Sequence, residues 1–133
     1  MDEPMRSGPN AVAVVGATGF VGRAIVTRLS DAGHRVIAIS RTGRRLPEWS
    51  ERVITRAADV ATGRNVSSAL DGADAVVHLV AIPRETGGRT FAEVNVRGTQ
   101  RVVEAAAAAG IRRFVHLSVL GVADAPKLRY LHS

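Results

Sequence analysis

Ala11-Val-Ala-Val-Val15-Gly16-Ala-Thr-Gly19-Phe-Val-Gly22 decides the fold of this 133-residue chain. A short run that is wholly apolar is typical of a central parallel strand, buried on both faces. The three glycines that follow are spaced three residues apart and lead into an amphipathic stretch. The segment therefore predicts a strand, a tight turn and a helix that begins near Phe20. Because the glycines allow close backbone approach and the helix dipole attracts anions, this turn is suited to bind the pyrophosphate of a dinucleotide.

The rest of the chain alternates predicted strands with predicted helices. We expect further strands at residues 36–39, 53–57, 75–80 and 114–117, and helices at 20–32, 65–70 and 90–109. This alternation favours right-handed crossovers and a parallel sheet with helices on both faces. The prediction is an α/β fold, a doubly wound Rossmann sheet of strand order 3-2-1-4-5, truncated after strand 5. Its ligand site is expected at the switch point between strands 1 and 4.

Two of the predicted helices carry specific signals. In the first, Val21, Ile25 and Leu29 recur at helical spacing and predict the buried face. The last begins at Thr90, which forms a capping box with Glu93.

Composition and length indicate a single domain. With 46% hydrophobic residues the chain can form a core. We place the domain at residues 11–133, after a polar leader at 1–10. The absence of cysteine excludes disulfides and thiolate metal sites, and we expect no metal. The leader lacks the apolar core of a signal peptide, and no apolar run reaches the roughly 18 residues of a membrane span. We therefore expect a cytoplasmic protein.

The net charge of +6 raises the alternative of nucleic-acid binding, since basic surfaces bind phosphates. However, the arginines are scattered along the chain, and no known nucleic-acid-binding module accompanies them. We rank this function last.

Five segments agree, in order and spacing, with one enzyme superfamily. Together they resemble the extended and atypical short-chain dehydrogenase/reductases. The residues of the later segments are most similar to the branch of complex I accessory-subunit-like and NmrA-like proteins. The segments are Gly16-Ala-Thr-Gly19-Phe-Val-Gly22, Asp59-Val60, His78-Leu-Val-Ala81, Asn95-Val-Arg-Gly-Thr99 and Arg112-Arg-Phe-Val-His-Leu-Ser118.

The resemblance implies a set of cofactor-binding residues. Those expected at the pyrophosphate are Gly16, Thr18, Gly19, Phe20, Val21 and Gly22; those at the adenine are Asp59 and Val60; those at the adjoining ribose are Leu79, Val80 and Ala81. Asp59 has the alternative of a plain cap or turn residue. For His78, inside an apolar strand, we predict a neutral, hydrogen-bonded core residue rather than a catalyst.

The end of strand 2 bears on the choice of cofactor. NAD-selective folds place an acid there for the ribose 2′-hydroxyl, whereas this chain offers Ser40, Arg41, Arg44 and Arg45. Arginine can bind a 2′-phosphate with two parallel hydrogen bonds. We therefore predict that NADP(H) is preferred, with NAD(H) possible and a solvated basic loop as the alternative.

The resemblance also implies a catalytic set of Tyr130, Ser118 and Asn95. The family's Lys, four residues after the Tyr, lowers the pKa of the phenol, but this sequence ends at Ser133. We expect the chain alone to be inactive, and Tyr130 has the alternative of packing against the cofactor site.

The expected function is that of an NAD(P)-binding domain from an oxidoreductase or sugar-nucleotide epimerase/dehydratase-like enzyme whose substrate region lies elsewhere. The alternative is a non-catalytic, nucleotide-binding regulator or accessory subunit. Because strand 5 would form an exposed edge, we expect a homodimer or pairing with a missing C-terminal half. The substrate cannot be named from these residues.

Overall fold

A single five-stranded parallel sheet organises the computed structural model, which describes residues 10–118. The strand order is β3-β2-β1-β4-β5, and all four neighbouring pairs are parallel, so the predicted fold is confirmed. The elements in chain order are β1 (Ala11–Val15), α1 (Phe20–Asp31), β2 (Arg35–Ser40), β3 (Val53–Ala57), α2 (Val66–Ala69), β4 (Ala75–His78), a π-helical segment (Ala92–Arg97), α3 (Gly98–Ala108) and β5 (Arg113–His116).

Two apolar cores lie on opposite faces of the sheet, because successive residues of each strand point to opposite sides. Ala13 and Val15 of β1 join the core beneath α2 and α3, whereas Val12 and Val14 join the core beneath α1. This arrangement buries the central strands on both faces and explains why β1 and residues 36–39 of β2 are continuously apolar.

The buried face of α1 differs from the prediction. Gly22, Val26 and Ser30 face the sheet, while Ile25 and Leu29 are only partly buried and Val21 is 40% exposed. The predicted face was therefore wrong: the repeat of large apolar residues lies beside the buried face, and two positions at the centre of that face are a glycine and a serine.

The predicted helix at residues 90–109 is present, but its first part is wider than an α-helix. The Thr90 hydroxyl accepts a hydrogen bond from the Glu93 N–H (3.1 Å), as the capping box predicts for that side chain. The π-helical segment then leads into α3, whose end is closed by Gly110 in the left-handed region (φ 74°).

Many of the arginines hold loops in place. Backbone carbonyls accept hydrogen bonds from the guanidinium groups of Arg45, Arg52, Arg56, Arg64 and Arg101. Part of the basic composition therefore serves the fold itself.

At the opposite edge of the sheet from β3, β5 is the last strand of the described residues. Val115 on this strand is 58% exposed, and Leu117 just after it is 51% exposed. A homodimer across this edge stays a prediction. No helix within residues 10–118 is long and apolar enough to cross a membrane.

Candidate nucleotide-binding site

The glycine turn between β1 and α1 lies above the carboxyl edge of the sheet. The Gly16 and Ala17 N–H groups both donate to the Ile39 carbonyl, at 3.0 and 3.1 Å, which fixes the turn to the end of β2. Gly16 has a positive φ of 92°, and a Cβ there would lie 3.1 Å from Val80 Cγ2. The first glycine is therefore required by backbone conformation and by the chain that follows β4.

The other two glycines of the turn have different roles. A Cβ on Gly22 would lie 2.1 Å from the Gly16 carbonyl oxygen, so this glycine lets α1 pack against the turn. A Cβ on Gly19 would meet only that same oxygen, at 3.5 Å, which is an ordinary contact. Gly19 therefore leaves open the space in front of α1 without being needed for packing.

The N-terminus of α1 is available to an anion. Its N-cap is Gly19, no side chain caps it, and its first turn carries no acidic residue. Uncapped N–H groups at the start of a helix attract phosphate through hydrogen bonding and the helix dipole. The glycine turn and this uncapped helix start form the cradle at which the sequence predicts phosphate binding.

A cleft of about 200 Å³ runs beside this cradle, along the carboxyl ends of β1, β2 and β3 and the chain after β4. Aliphatic side chains make up much of its lining, and the polar side chains come from the glycine turn, the end of β2 and the segment after β4. The predicted site residues that line it are Gly16, Thr18, Ser40, Arg41, Val60 and Val80; the others are Val15, Ile39, Ala58, Ile82 and Arg89.

The remaining predicted contacts lie outside the cleft lining. Phe20 is 95% exposed at the start of α1, and Leu79 packs against the core beneath that helix. Arg44 and Ala81 are exposed. None of these four residues forms a wall of the cleft, and their contacts with a cofactor stay predictions.

At the end of β2, two of the four polar side chains already have a structural role. The Ser40 hydroxyl oxygen accepts a hydrogen bond from the Gly43 N–H (3.0 Å), which leaves its own O–H free to donate. Arg45 donates to the carbonyls of Val53, Trp49 and Ser50, so its guanidinium holds the loop, and its contribution to a phosphate site stays a prediction.

Asp59 follows β3 and closes a local turn. Its Oδ1 accepts a hydrogen bond from the Ala61 N–H (3.0 Å), as in the turn alternative considered for it. Its Oδ2 lies 3.6 Å from Nη1 of Arg89, a residue that the sequence analysis did not consider. Both side chains are mostly buried, with 17% and 24% exposed.

Asn95 fixes the chain that follows β4. Its Oδ1 accepts a hydrogen bond from the Ile82 N–H (2.8 Å), and its Nδ2 donates to the Ile82 carbonyl (3.2 Å). Since Ile82 lines the cleft, this buried amide positions one of the cleft walls.

We expect Asn95→Ala to lower the free energy of unfolding by about 2 kcal/mol, because two backbone groups lose their partner. The Ile82 amide should also exchange its proton faster, which hydrogen-exchange NMR measures. Gln100→Ala, which removes only an exposed bond to Glu104, should stay within about 0.5 kcal/mol of the parent chain. Equal protection of Ile82 in parent and Asn95→Ala would contradict this role.

His78 is a core residue, as predicted. It is fully buried, and its Nε2 lies 3.0 Å from the Thr99 hydroxyl oxygen. Burial lowers the pKa of His78 to about 4, with a smaller contribution from the charge of His116. The imidazole is therefore neutral at pH 7.

Two members of the predicted catalytic set lie within the described residues and differ in burial. Ser118 lies just after β5 and is exposed, whereas Asn95 is buried against Ile82. Tyr130 lies outside the described residues. Residues 10–118 contain no group of three side chains that could hold a metal ion.

The parallel sheet, the uncapped helix N-terminus and the glycine turn define a doubly wound α/β domain whose glycine turn lies at the switch point of the sheet. Residues 12–127 match the family model described as the NAD dependent epimerase/dehydratase family. The chain belongs to this family, which confirms the resemblance to the short-chain dehydrogenase/reductases.

Similar proteins agree with this assignment. The chain is 36% identical to a 3-beta-hydroxysteroid dehydrogenase of Mycolicibacterium neoaurum, over 86% of this chain and 33% of that protein. It is 34% identical to the photosystem II assembly factor Ycf39 of Synechocystis sp., over 88% of this chain and 36% of that protein. Among solved structures, MoeE5 in complex with UDP-glucose and NAD superposes with a TM-score of 0.71 at 34% identity, over 84% of this chain and 37% of that one. The chain thus spans about a third of the length of these relatives.

Proposed function

We propose that this chain is the NAD(P)-binding domain of an oxidoreductase or a sugar-nucleotide epimerase/dehydratase-like enzyme, with NADP(H) as the preferred cofactor. The uncapped N-terminus of α1, beside a cleft at the switch point of the sheet, carries this proposal. The NAD named with the similar MoeE5 structure supports a dinucleotide as the ligand.

In this proposal each part of the cleft takes one part of the dinucleotide. The first turn of α1 and Thr18 bind the pyrophosphate, and the apolar wall formed by Val60 and Val80 borders the adenosine. Asp59 and Ala81 lie next to that wall and complete the adenosine side. When bound, the nicotinamide supplies hydride transfer.

The preference for NADP(H) rests on the end of β2. No acid is present there to repel a 2′-phosphate, Arg41 lines the cleft, and the Ser40 O–H remains able to donate. Arg44 is exposed in the same loop and is the second candidate cation. A guanidinium bound to a phosphate contributes more than a neutral hydrogen bond, so Arg41 favours the phosphorylated cofactor.

We expect Arg41→Ala to weaken NADPH binding by about tenfold to a hundredfold and to leave NADH binding nearly unchanged. Fluorescence titration of the purified chain with each cofactor measures this difference. Arg28→Ala is the matched control, because it removes one exposed positive charge from the last turn of α1. Binding of neither cofactor by the parent chain would contradict the proposed function, and equal losses for both cofactors would contradict the preference alone.

Catalysis is a proposal for the complete protein. Tyr130 would exchange a proton with the substrate, Ser118 would donate a hydrogen bond to the substrate oxygen, and Asn95 would support the site through the chain at Ile82. A cytoplasmic location is also proposed.

A second candidate is a nucleotide-binding regulator or accessory subunit without turnover. One relative is named a photosystem II assembly factor, and this name describes assembly and not a reaction. The two candidates differ in whether bound NADPH is oxidised by any carbonyl compound.

A further inference from the structure

Arg89 reaches the cleft from a tight turn in the segment between β4 and the π-helical segment. The Arg89 N–H donates to the Thr86 carbonyl (3.0 Å), and the two residues between them are Gly87 and Gly88, with φ of 57° and 79°. Two consecutive positive φ values reverse the chain within these residues. The turn directs the chain back, so that Arg89 lines the cleft while its neighbour Arg84 stays exposed.

Asp59 holds the Arg89 guanidinium at the rim of the cleft. One carboxylate oxygen is fixed by the Ala61 N–H, and the other lies 3.6 Å from Arg89 Nη1. This separation is an ion pair rather than a full hydrogen bond, so it does not use up the five N–H donors of the guanidinium, and the Arg89 side chain remains 24% exposed. The ion pair joins the end of β3 to the segment after β4 across the cleft.

The neighbouring walls of the cleft are apolar. Ala58, Val60 and Ile82 line it close to the Asp59–Arg89 pair, whereas Ser40 and Arg41 stand at the end of β2. A slot with aliphatic walls and a planar cation at its rim suits a flat aromatic base, because guanidinium groups stack on aromatic rings. A phosphate, by contrast, would be desolvated against the aliphatic walls and would face the Asp59 carboxylate.

We propose that Arg89 is a specificity-determining residue that covers the adenine ring of the cofactor, with Asp59 as the residue that positions it. The inference rests on the proposed function, since it concerns the adenosine end of the same cleft. It assigns Arg89 to the base, common to all adenine nucleotides, and Arg41 to the 2′-phosphate.

Arg89→Ala is expected to weaken the binding of 5′-AMP, NADH and NADPH by a similar factor of about ten, so that the ratio of NADPH to NADH affinity does not change. Arg89→Lys keeps the charge near Asp59 but lacks the planar face, and it should lose most of the same affinity. Arg84→Ala is the matched control, because it removes an exposed arginine from the same segment. Isothermal titration with the three nucleotides measures the losses, and thermal midpoints show that each variant is folded.

Asp59→Asn adds a test of positioning. This substitution should weaken the binding of 5′-AMP in the parent background. It should have a smaller effect on that binding in the Arg89→Ala background, since the two residues act through one contact. A loss confined to NADPH would assign Arg89 to the 2′-phosphate and overturn the inference, as would Arg89→Ala behaving like Arg84→Ala. If the parent chain binds none of the three nucleotides, the proposed function itself fails.

Discussion

Gly22→Ala is expected to lower the free energy of unfolding by about 3 kcal/mol and the thermal midpoint by roughly 10 °C. The added Cβ would lie 2.1 Å from the Gly16 carbonyl oxygen and 2.9 Å from two Ala17 backbone atoms. All three atoms belong to backbone that is tied to β2 through the Ile39 carbonyl, so they cannot move without shifting the turn. Urea denaturation followed by circular dichroism measures the loss.

Gly19→Ala is the matched variant, because it adds the same methyl group three residues earlier. There the Cβ meets only the Gly16 oxygen at 3.5 Å, and φ is −73°, which any residue adopts. We therefore expect parental stability together with a loss of about tenfold or more in dinucleotide affinity, since the methyl group occupies the space in front of α1. Parental stability of Gly22→Ala, or a destabilised Gly19→Ala, would contradict the division of roles between the two glycines.

The strand order and the glycine turn could be predicted because both depend on short-range signals. The apolar run of β1 and the positive φ of Gly16 are properties of adjacent residues. Right-handed crossovers then leave few arrangements of parallel strands. The predicted ends of the strands were less accurate. The strand predicted at 75–80 stops at His78, although the Leu79 N–H still donates to the Val15 carbonyl.

The prediction of the buried face of α1 was wrong because the centre of that face is not apolar. Gly22 packs against the turn, and the Ser30 hydroxyl lies 2.6 Å from that of Ser50. A pattern of large aliphatic residues cannot reveal positions that are buried through small size or hydrogen bonding. Similarly, Leu46 and Trp49 belong to the core beneath α1, although they lie between strands among arginines and other polar residues.

The candidate site was predictable where the motif is local and not where distant residues meet. Thr18, Ser40 and Arg41 line the cleft as expected from their positions after strands. The pairing of Arg89 with Asp59 depends on the turn at Gly87 and Gly88, and no spacing rule connects the two residues.

His78 is expected to make the protein less stable below neutral pH. Its pKa is lowered from 6.5 to about 4, first because burial disfavours the imidazolium and second because His116 carries a nearby charge. Between these two values the unfolded chain binds a proton that the folded chain excludes. The stability that His78 contributes is therefore complete above pH 6.5 and is lost as the pH falls towards 4, by about 3 kcal/mol.

His78→Gln separates this effect from the titration of the carboxylates. Glutamine stays neutral at every pH and can still reach the Thr99 hydroxyl, which lies 3.0 Å from His78 Nε2. At pH 7 we expect the variant to be the less stable protein, because the ring that stacks on His116 at 5.7 Å is lost. Towards pH 4 the difference in unfolding free energy between parent and variant should shrink or reverse. Urea denaturation at several pH values measures both proteins, and parallel curves for parent and His78→Gln would show that the buried imidazole does not control acid stability.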